Sequence, residues 1–396
     1  MEATCFIWQH HQQGLLLGLG QKDSFQSTLE FNAAAFQDFV TRNSGNYIFG
    51  YLSFDLKNSF EHLSSNNPDV LAFPLLHFWV PESLYHFNSS PALFWGLESV
   101  QNQKQTEALF TEFEKKDGVL DAHFEPRTSK ETYFEHFEQL KKALQRGDIY
   151  EVNYCQEFAA TNCSIDKPMS LFGRLHNETK APHAAYIQTA DHLVLCASPE
   201  RFLQKTGAVL RSEPIKGTAP RAKDPYEDQR LASALQNNPK ERAENIMIVD
   251  LVRNDLSQIA NKNSVGVDEL CQIYSFETVH QMISKISCEI DPSVRLLDIL
   301  KACFPMGSMT GAPKIAALQQ IEKHEDFKRG LYSGSIGLIE PNGDFDFNVV
   351  IRSLLYNRKS NAISCSVGSA ITIGANAEDE YQECLLKAEK LIHGLR

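Results

Sequence analysis

Lys216 sits at the centre of RSEPIKGTAPR, residues 211 to 221, between Ile215 and Gly217 on what reads as a tight turn. A lysine amine does chemistry when its surroundings shift its pKa; alone on a loop, a solvated lysine is the commoner case. Upstream, the apolar run HLVLCA ends in Ser198-Pro199-Glu200-Arg201, which places Glu200 and Lys216 at neighbouring strand ends. Glu241 and Glu244 fall one helical turn apart in ERAENIMIVDL, and Glu380, Glu383 and Lys387 share a face of the last helix. Standing alone, both groups read as solvated helix faces, and Glu383 four residues before Lys387 is the favourable order for a surface pair. FPMGSMTGAPK, residues 304 to 314, is a glycine-rich turn leading into a helix, with Pro313 in its first turn and Ile315, Leu318 and Ile321 as its apolar stripe. Free amides there suit an anion; the P-loop spacing fails, so a carboxylate suits the place better than a nucleotide phosphate. Arg352, expected on one strand face with Asp346 and Asn348, carries the planar fork that grips carboxylates if that face lines a cleft.

The elements that must position these groups follow from pattern. LLLGLG, NYIFGYLSFDL and FPLLHFWVPE in the first 120 residues read as buried strands, followed by a polar, helix-friendly connector from Ser99 to Leu120. Thr128-Ser-Lys-Glu reads as a capping box before the stripe Tyr133, Phe134, Phe137, Leu140 and Leu144, which stops at Gly147. In DIYEVNYCQEF, Tyr150, Val152, Tyr154 and Phe158 alternate with Glu151, Asn153, Cys155 and Glu157, so one face packs and the polar face looks at water or into a site. Strands are expected over 183–210, helix over 225–262, a three-stranded meander over 331–373, and a closing helix that buries Tyr381, Leu385, Ala388 and Ile392. Many short strands followed by helices imply an α+β fold, antiparallel sheets packed as a sandwich with helices outside.

Composition narrows the function. A net charge of -12 over 396 residues argues against a nucleic-acid or anionic-membrane surface, which needs clustered Lys and Arg. Nine scattered cysteines, none in a C-x-x-C pair, fit a reduced cytoplasmic protein better than a disulfide framework or a zinc site. Neither a signal peptide nor a run long enough to span a membrane is expected.

SPERFL, PIKGT, AENIMIVDLVRNDL, FPMGSMTGAPK, LYSGSIG, VIRSL and DEYQECLLKAEK occur in this order. Together they resemble the chorismate-utilising enzymes, the family of anthranilate synthase large components, aminodeoxychorismate synthase components I, and isochorismate and salicylate synthases. The resemblance runs from about Thr128 to the C-terminus and is looser in the N-terminal third, through FGYLSFDLKN. It implies a β-rich region over 1–120 in the same body as a chorismate-binding catalytic domain over 121–396. It also implies Mg²⁺, held by Glu244, Glu380 and Glu383 and holding in turn the ring carboxylate of chorismate; a hard ion with a few carboxylates, substrate oxygen and water is consistent with that. Glu200 is implied as general acid/base on the departing ring hydroxyl, a task that needs a raised pKa. Backbone amides at Gly307, Ser308, Met309 and Thr310 would hold a carboxylate, and Tyr332 and Arg352 the enolpyruvyl carboxylate. Thr218, His280, Gly368 and Lys387 complete the implied substrate-binding set.

The subgroup turns on Lys216. The resemblance implies a small residue there in anthranilate synthases and lysine in aminodeoxychorismate synthases. In the latter a neutral Lys216 amine attacks ring C2 as the C4 hydroxyl leaves, and ammonia at C4 then expels the lysine, giving 4-amino-4-deoxychorismate for 4-aminobenzoate and folate synthesis. Such a nucleophile needs a depressed pKa, expected from Mg²⁺ and desolvation. Glu151 departs from the family: amidating members carry glutamine there, water-adding members a lysine base. A carboxylate at 151 would either steer ammonium or act as a base. No glutaminase signature is visible, so a separate glutamine amidotransferase subunit is the implied ammonia source. No Leu-Leu-Glu-Ser motif for feedback tryptophan is found. An anthranilate synthase large component and a non-catalytic chorismate-binding paralogue are the competing readings.

Overall fold

Apolar runs bounded by Gly, Asn and Pro become strands, which assemble into two antiparallel sheets of 11 and 10 strands among the described residues, 4–61 and 63–395, of the computed structural model. The first sheet carries Glu151–Ala160, Ala362–Thr372, Ser353–Asn357, His192–Ser198 and His183–Gln188 in succession; the second carries Ile215–Pro220, Val279–Glu289, Val209–Glu213, Arg201–Thr206 and Phe345–Asn348. Strands from the first hundred residues extend both: Cys5–His10 pairs with His183–Gln188, and Ile48–Leu52 with Ser335–Ile339.

The sheets meet face to face. Phe6 of the first lies 4.1 Å, centroid to centroid, from Phe49 of the second, and both rings are buried. The outer face of the first sheet is covered by Val100–Lys115, Pro168–Thr179 and Ala377–His393, while Pro239–Ser257 lies along Ile215–Pro220 and Val279–Glu289 of the second. This is the sandwich with outer helices that the strand pattern implies.

Two connections pass between the sheets side by side. The chain leaves the first sheet after Ser198, where Pro199 ends the ladder, and enters the second at Arg201. It returns through residues 349–352 to the strand Ser353–Asn357. The crossings are tied together: the Val349 N–H donates to the Glu200 carbonyl (3.0 Å) and the Ala197 N–H to the Arg352 carbonyl (3.1 Å). Arg352 takes a left-handed backbone, φ 50°, which costs a side-chain-bearing residue on the order of 1–3 kcal/mol.

This corrects the single meander expected over 331–373. FDFNVVIRSLLYN is two strands in different sheets, because Val349 and Val350 bury at the crossing with no turn residue to announce it. Arg352 therefore shares no strand face with Asp346 and Asn348: Asp346 pairs with Arg201 at 2.9 Å, and the Asn348 amide donates to the His183 carbonyl at 2.9 Å.

Other departures have local causes. The helix expected over 225–262 is two, Pro225–Gln236 and Pro239–Ser257, since Asn238 caps the second by accepting from the Lys240 and Glu241 N–H groups. Ser129, not Thr128, caps Lys130–Arg146, because the Thr128 hydroxyl donates to Asp326. Tyr150, expected to pack, precedes the strand and is 62% exposed. The strand Gly311–Ala312, paired with Glu151 and Val152, separates the glycine-rich loop from the helix Lys314–His324, which has Pro313 as its cap and leaves Ile315 exposed.

A buried ion pair fastens that loop. Arg329 reaches Glu325 through Nε (2.9 Å) and Nη2 (2.6 Å), while Nη1 donates to the Met309 carbonyl (2.7 Å) and Nη2 to the Asn153 carbonyl (2.8 Å). Glu325 also accepts from the Cys155 N–H at 2.9 Å. Removing one partner strands the other charge, so Arg329→Met is expected to cost about 3–5 kcal/mol of unfolding free energy in a urea titration. A loss below about 1 kcal/mol would show that the clamp is dispensable.

Candidate functional site

A cavity of about 680 Å³ opens where the crossings, the strand Ile215–Pro220 and two helices meet. That is ample for a small polycarboxylate; ligand pockets run to roughly 300–1,000 Å³. The crossings supply Glu200 and Arg352, the strand Lys216 and Thr218, the helix Pro239–Ser257 Lys240, Glu241 and Glu244, and the last helix Glu380, Glu383 and Lys387. Ser308, Met309, Tyr332 and Gly368 line the remainder.

Lys216 is not on a turn. It lies on a strand whose pairing with Val279–Glu289 slips between Ile215 and Thr218, with Gly217 at φ 81°, where a Cβ would meet Glu241 Oε2 at 2.9 Å. The slip turns the lysine inward: Nζ donates to Glu151 Oε1 at 2.9 Å, the lysine side chain being 11% exposed and the glutamate 1%. Burial alone would lower the Lys216 pKa, but Glu151, Glu244 and Glu200 overcome it and push the pKa well above the ordinary value. The expected depression is thus reversed, and the cause is the polar face of Glu151–Ala160, which turns out to be buried beside the lysine rather than wet.

Burial pushes the carboxyl of Glu200 up to about 7, against the opposing pull of Ser308, Lys216 and Arg352. Glu244 is likewise pushed up to about 7, by burial and the nearby Glu151, with Lys216 and Lys240 opposing. Its Oε1 has no hydrogen-bond partner; the nearest ammonium, Lys240 Nζ, is 3.9 Å away. Lys240 sits closer to Glu380, at 2.8 Å, yet burial and Glu383 still raise the Glu380 pKa. For Glu383, burial works upward but the Lys387 ammonium, 2.6 Å away, holds the carboxyl below its usual range.

Among the described residues, no three His, Cys, Asp or Glu side chains close around one point as a ready metal cage. A magnesium ion does not require one, since it keeps waters and takes one or two protein carboxylates together with substrate oxygen. The buried carboxylate of Glu244, with Oε1 unpartnered, and the buried Glu380 and its neighbour Glu383 on the same wall fit that demand.

Three expected binding residues fall outside the cavity wall. His280 is buried with Nε2 2.9 Å from Asp228 and Nδ1 2.8 Å from Ser275, so it ties the helix Pro225–Gln236 to the sheet; its neighbours Val279 and Gln281 face the cavity instead. Gly307 lies beneath the wall, where a Cβ would stand 2.7 Å from Leu251. The Thr310 hydroxyl is used within the loop, and the Met309 and Thr310 amides donate to the Met306 and Gly307 carbonyls, so the loop offers fewer free amides than expected.

Glu241, Lys240 and Asn153 also line the cavity, although none is among the expected binding residues. Glu241 carried a signal, its place one turn before Glu244. Asn153 donates to the Ser308 carbonyl at 2.9 Å, and only a glycine at 368 leaves room for it, a Cβ there standing 2.3 Å from Asn153 Oδ1.

The chorismate binding enzyme family profile matches residues 4–393. Aminodeoxychorismate synthase component 1 of Klebsiella aerogenes is 34% identical over 360 residues, 88% of this chain and 76% of that protein. The protein of that name from Escherichia coli K12 is 37% identical over 281 residues, 71% of this chain and 61% of its own length. In fold, anthranilate synthase component I from Streptococcus pneumoniae TIGR4 superposes with a TM-score of 0.81 at 23% identity, covering 95% of this chain and 91% of that one.

The raised pKa of Glu244 has a consequence for stability. Unfolded, the group titrates near 4.5; folded, near 7. Between those values the folded state holds the extra proton, so stability declines as pH rises through the window, and the penalty is complete above about 7. Glu244→Gln, fixed in the neutral form, is expected to gain on wild type over that window in metal-free buffer. Melting temperatures at both ends of it check this, and a gain independent of pH would refute it.

Proposed function

The chain belongs to the chorismate binding enzyme family, and we propose that within it this protein is component I of an aminodeoxychorismate synthase, aminating chorismate with ammonia from a separate glutamine amidotransferase subunit. The observation that carries the reading is Lys216 inside the cavity, together with Glu200 on the adjoining crossing. An amine and a proton-bearing carboxyl there match an allylic displacement that needs a nucleophile at one ring carbon and an acid at the other. The names of the relatives point the same way.

In this reading Arg352 and Tyr332 orient the enolpyruvyl carboxylate. Glu244, Glu380 and Glu383 would hold Mg²⁺, which when bound would supply positive charge for the ring carboxylate. The neutral amine of Lys216 attacks ring C2, the double bond shifts, and the C4–O bond breaks. Glu200, half-protonated near neutral pH, gives its proton to the departing hydroxyl, which leaves as water. Ammonia then bonds to C4 and the C2–N bond breaks, freeing Lys216. Glu200 takes a proton from the new C4 ammonium and is reset.

The test is incubation with chorismate, Mg²⁺ and an ammonium salt, followed by product identification. Aminodeoxychorismate is expected; anthranilate in its place would make the protein an anthranilate synthase component, and chorismate binding without turnover would make it a binding paralogue. Lys216→Ala is expected to lose aminodeoxychorismate formation by about 10²-fold or more while chorismate affinity measured by calorimetry changes little. Turnover that depends on the Glu200 proton is expected to fall about tenfold per pH unit above about 7. A rate flat across that range would remove Glu200 from the acid role.

A further inference from the structure

The proposed reaction needs a neutral lysine, and the structure presents a charged one. We infer that Glu151 is the group that takes the proton from Lys216 and later returns it, an inference that rests on the lysine-nucleophile reading above.

Glu151 is the one carboxylate in hydrogen-bond contact with Lys216 Nζ among the described residues. It stands behind the lysine rather than on the cavity wall, with 1% of its side chain exposed. Substrate does not reach it; the reacting nitrogen does. Its backbone is held on both sides, opposite Thr372 in one neighbouring strand and Ala312 in the other. At Gly311 a Cβ would stand 2.1 Å from the Glu151 carbonyl, so the closeness of that edge depends on the glycine. The second carboxylate oxygen, Oε2, is buried with no hydrogen-bond partner. A pair kept for stability alone would be expected to satisfy both oxygens, and buried ion pairs are in any case weak stabilisers. An under-coordinated carboxylate is a better proton acceptor than a fully bonded one, because each hydrogen bond to the charged form favours it.

The other charges facing Lys216 have different duties. Glu200 must arrive with its proton on; Glu241 and Glu244 of the helix Pro239–Ser257 and Glu383 of the last helix act on the lysine only through space. Glu151 alone has the proton in line.

A proton passes from Nζ to Glu151 Oε1, leaving a neutral amine and a neutral carboxylic acid. Nζ bonds to C2 and remains a protonated secondary amine, the state from which it departs readily. When ammonia has bonded to C4, the C2–N bond breaks, the lysine leaves as a neutral amine, and Glu151 returns its proton. No other co-reactant is required. The transfer is internal, so this stage of the reaction does not depend on bulk pH. Without the carboxylate, the proton must go to solvent, and the fraction of reactive lysine then rises with pH.

The experiment compares Glu151→Gln and Glu151→Asp with wild type, using chorismate, Mg²⁺ and ammonium chloride at a constant free ammonia concentration from about pH 6.5 to 9. The ratio of variant to wild-type kcat is taken at each pH, which cancels the Glu200 limb common to all three. For Glu151→Gln the ratio is expected to rise about tenfold per unit, since solvent deprotonation follows pH. For Glu151→Asp, which keeps a carboxylate, it is expected to stay flat, and chorismate affinity is expected to hold within about twofold in both. A flat ratio for Glu151→Gln overturns the inference, whether the rate is unchanged or lowered together with chorismate affinity; the latter would make Glu151 a structural brace. Wild type that makes anthranilate, or makes no aminodeoxychorismate, overturns instead the reading on which the inference stands.

Discussion

Carboxylates taken out of water must find a cation, find a proton, or pull apart. The wall of this cavity uses the first two. Lys216 is paired with Glu151, Lys240 with Glu380 and Lys387 with Glu383, and where the pairing is incomplete, at Glu200 and Glu244, the carboxyl is driven toward its protonated form. Interleaving opposite charges lets so many acids crowd one surface in a protein whose net charge is already -12. It also leaves the site responsive: the groups held near neutrality change state when an anion or a cation arrives, whereas the tight pairs hold their geometry.

That geometry comes from the fold rather than from the helices alone. Glu200 and Arg352 are carried on two crossings between the sheets that hydrogen-bond to each other, so a carboxyl and a guanidinium are fixed relative to one another by backbone. The buried Arg329–Glu325 pair fastens the loop of Met309 to the strand of Asn153, and the strand slip at Gly217 turns Lys216 inward. Left-handed backbone at Arg352 is the strain that such a corner tolerates.

Much of this was legible in one dimension. Aromatic and β-branched runs announced the strands, capping residues the helices, and the order of seven short motifs the family that the profile match later placed on the chain. The misreadings share a cause, which is that chemistry between residues distant in sequence overrides local pattern. Lys216 looked like a turn residue because Gly217 is next to it, and its partner Glu151 lies on a different sheet. FDFNVVIRSLLYN looked like one strand because a crossing made of buried valines carries no turn signal. His280 looked available for substrate, but the helix Pro225–Gln236 folds back to claim it through Asp228. The direction of the Lys216 shift was likewise unreadable, since spacing does not reveal which of burial and neighbouring charge prevails.

The proposed mechanism requires Lys216 to bond covalently to the ring of chorismate. That bond is detected by the intact mass of the protein after mixing with chorismate and Mg²⁺ in the absence of ammonia, with peptide mapping of the stretch RSEPIKGTAPR. A gain equal to one chorismate less one water is expected, located on Lys216 and discharged when ammonium is added. Conversion of chorismate to aminodeoxychorismate on adding ammonium, with no such adduct on rapid quenching before it, would contradict the claim.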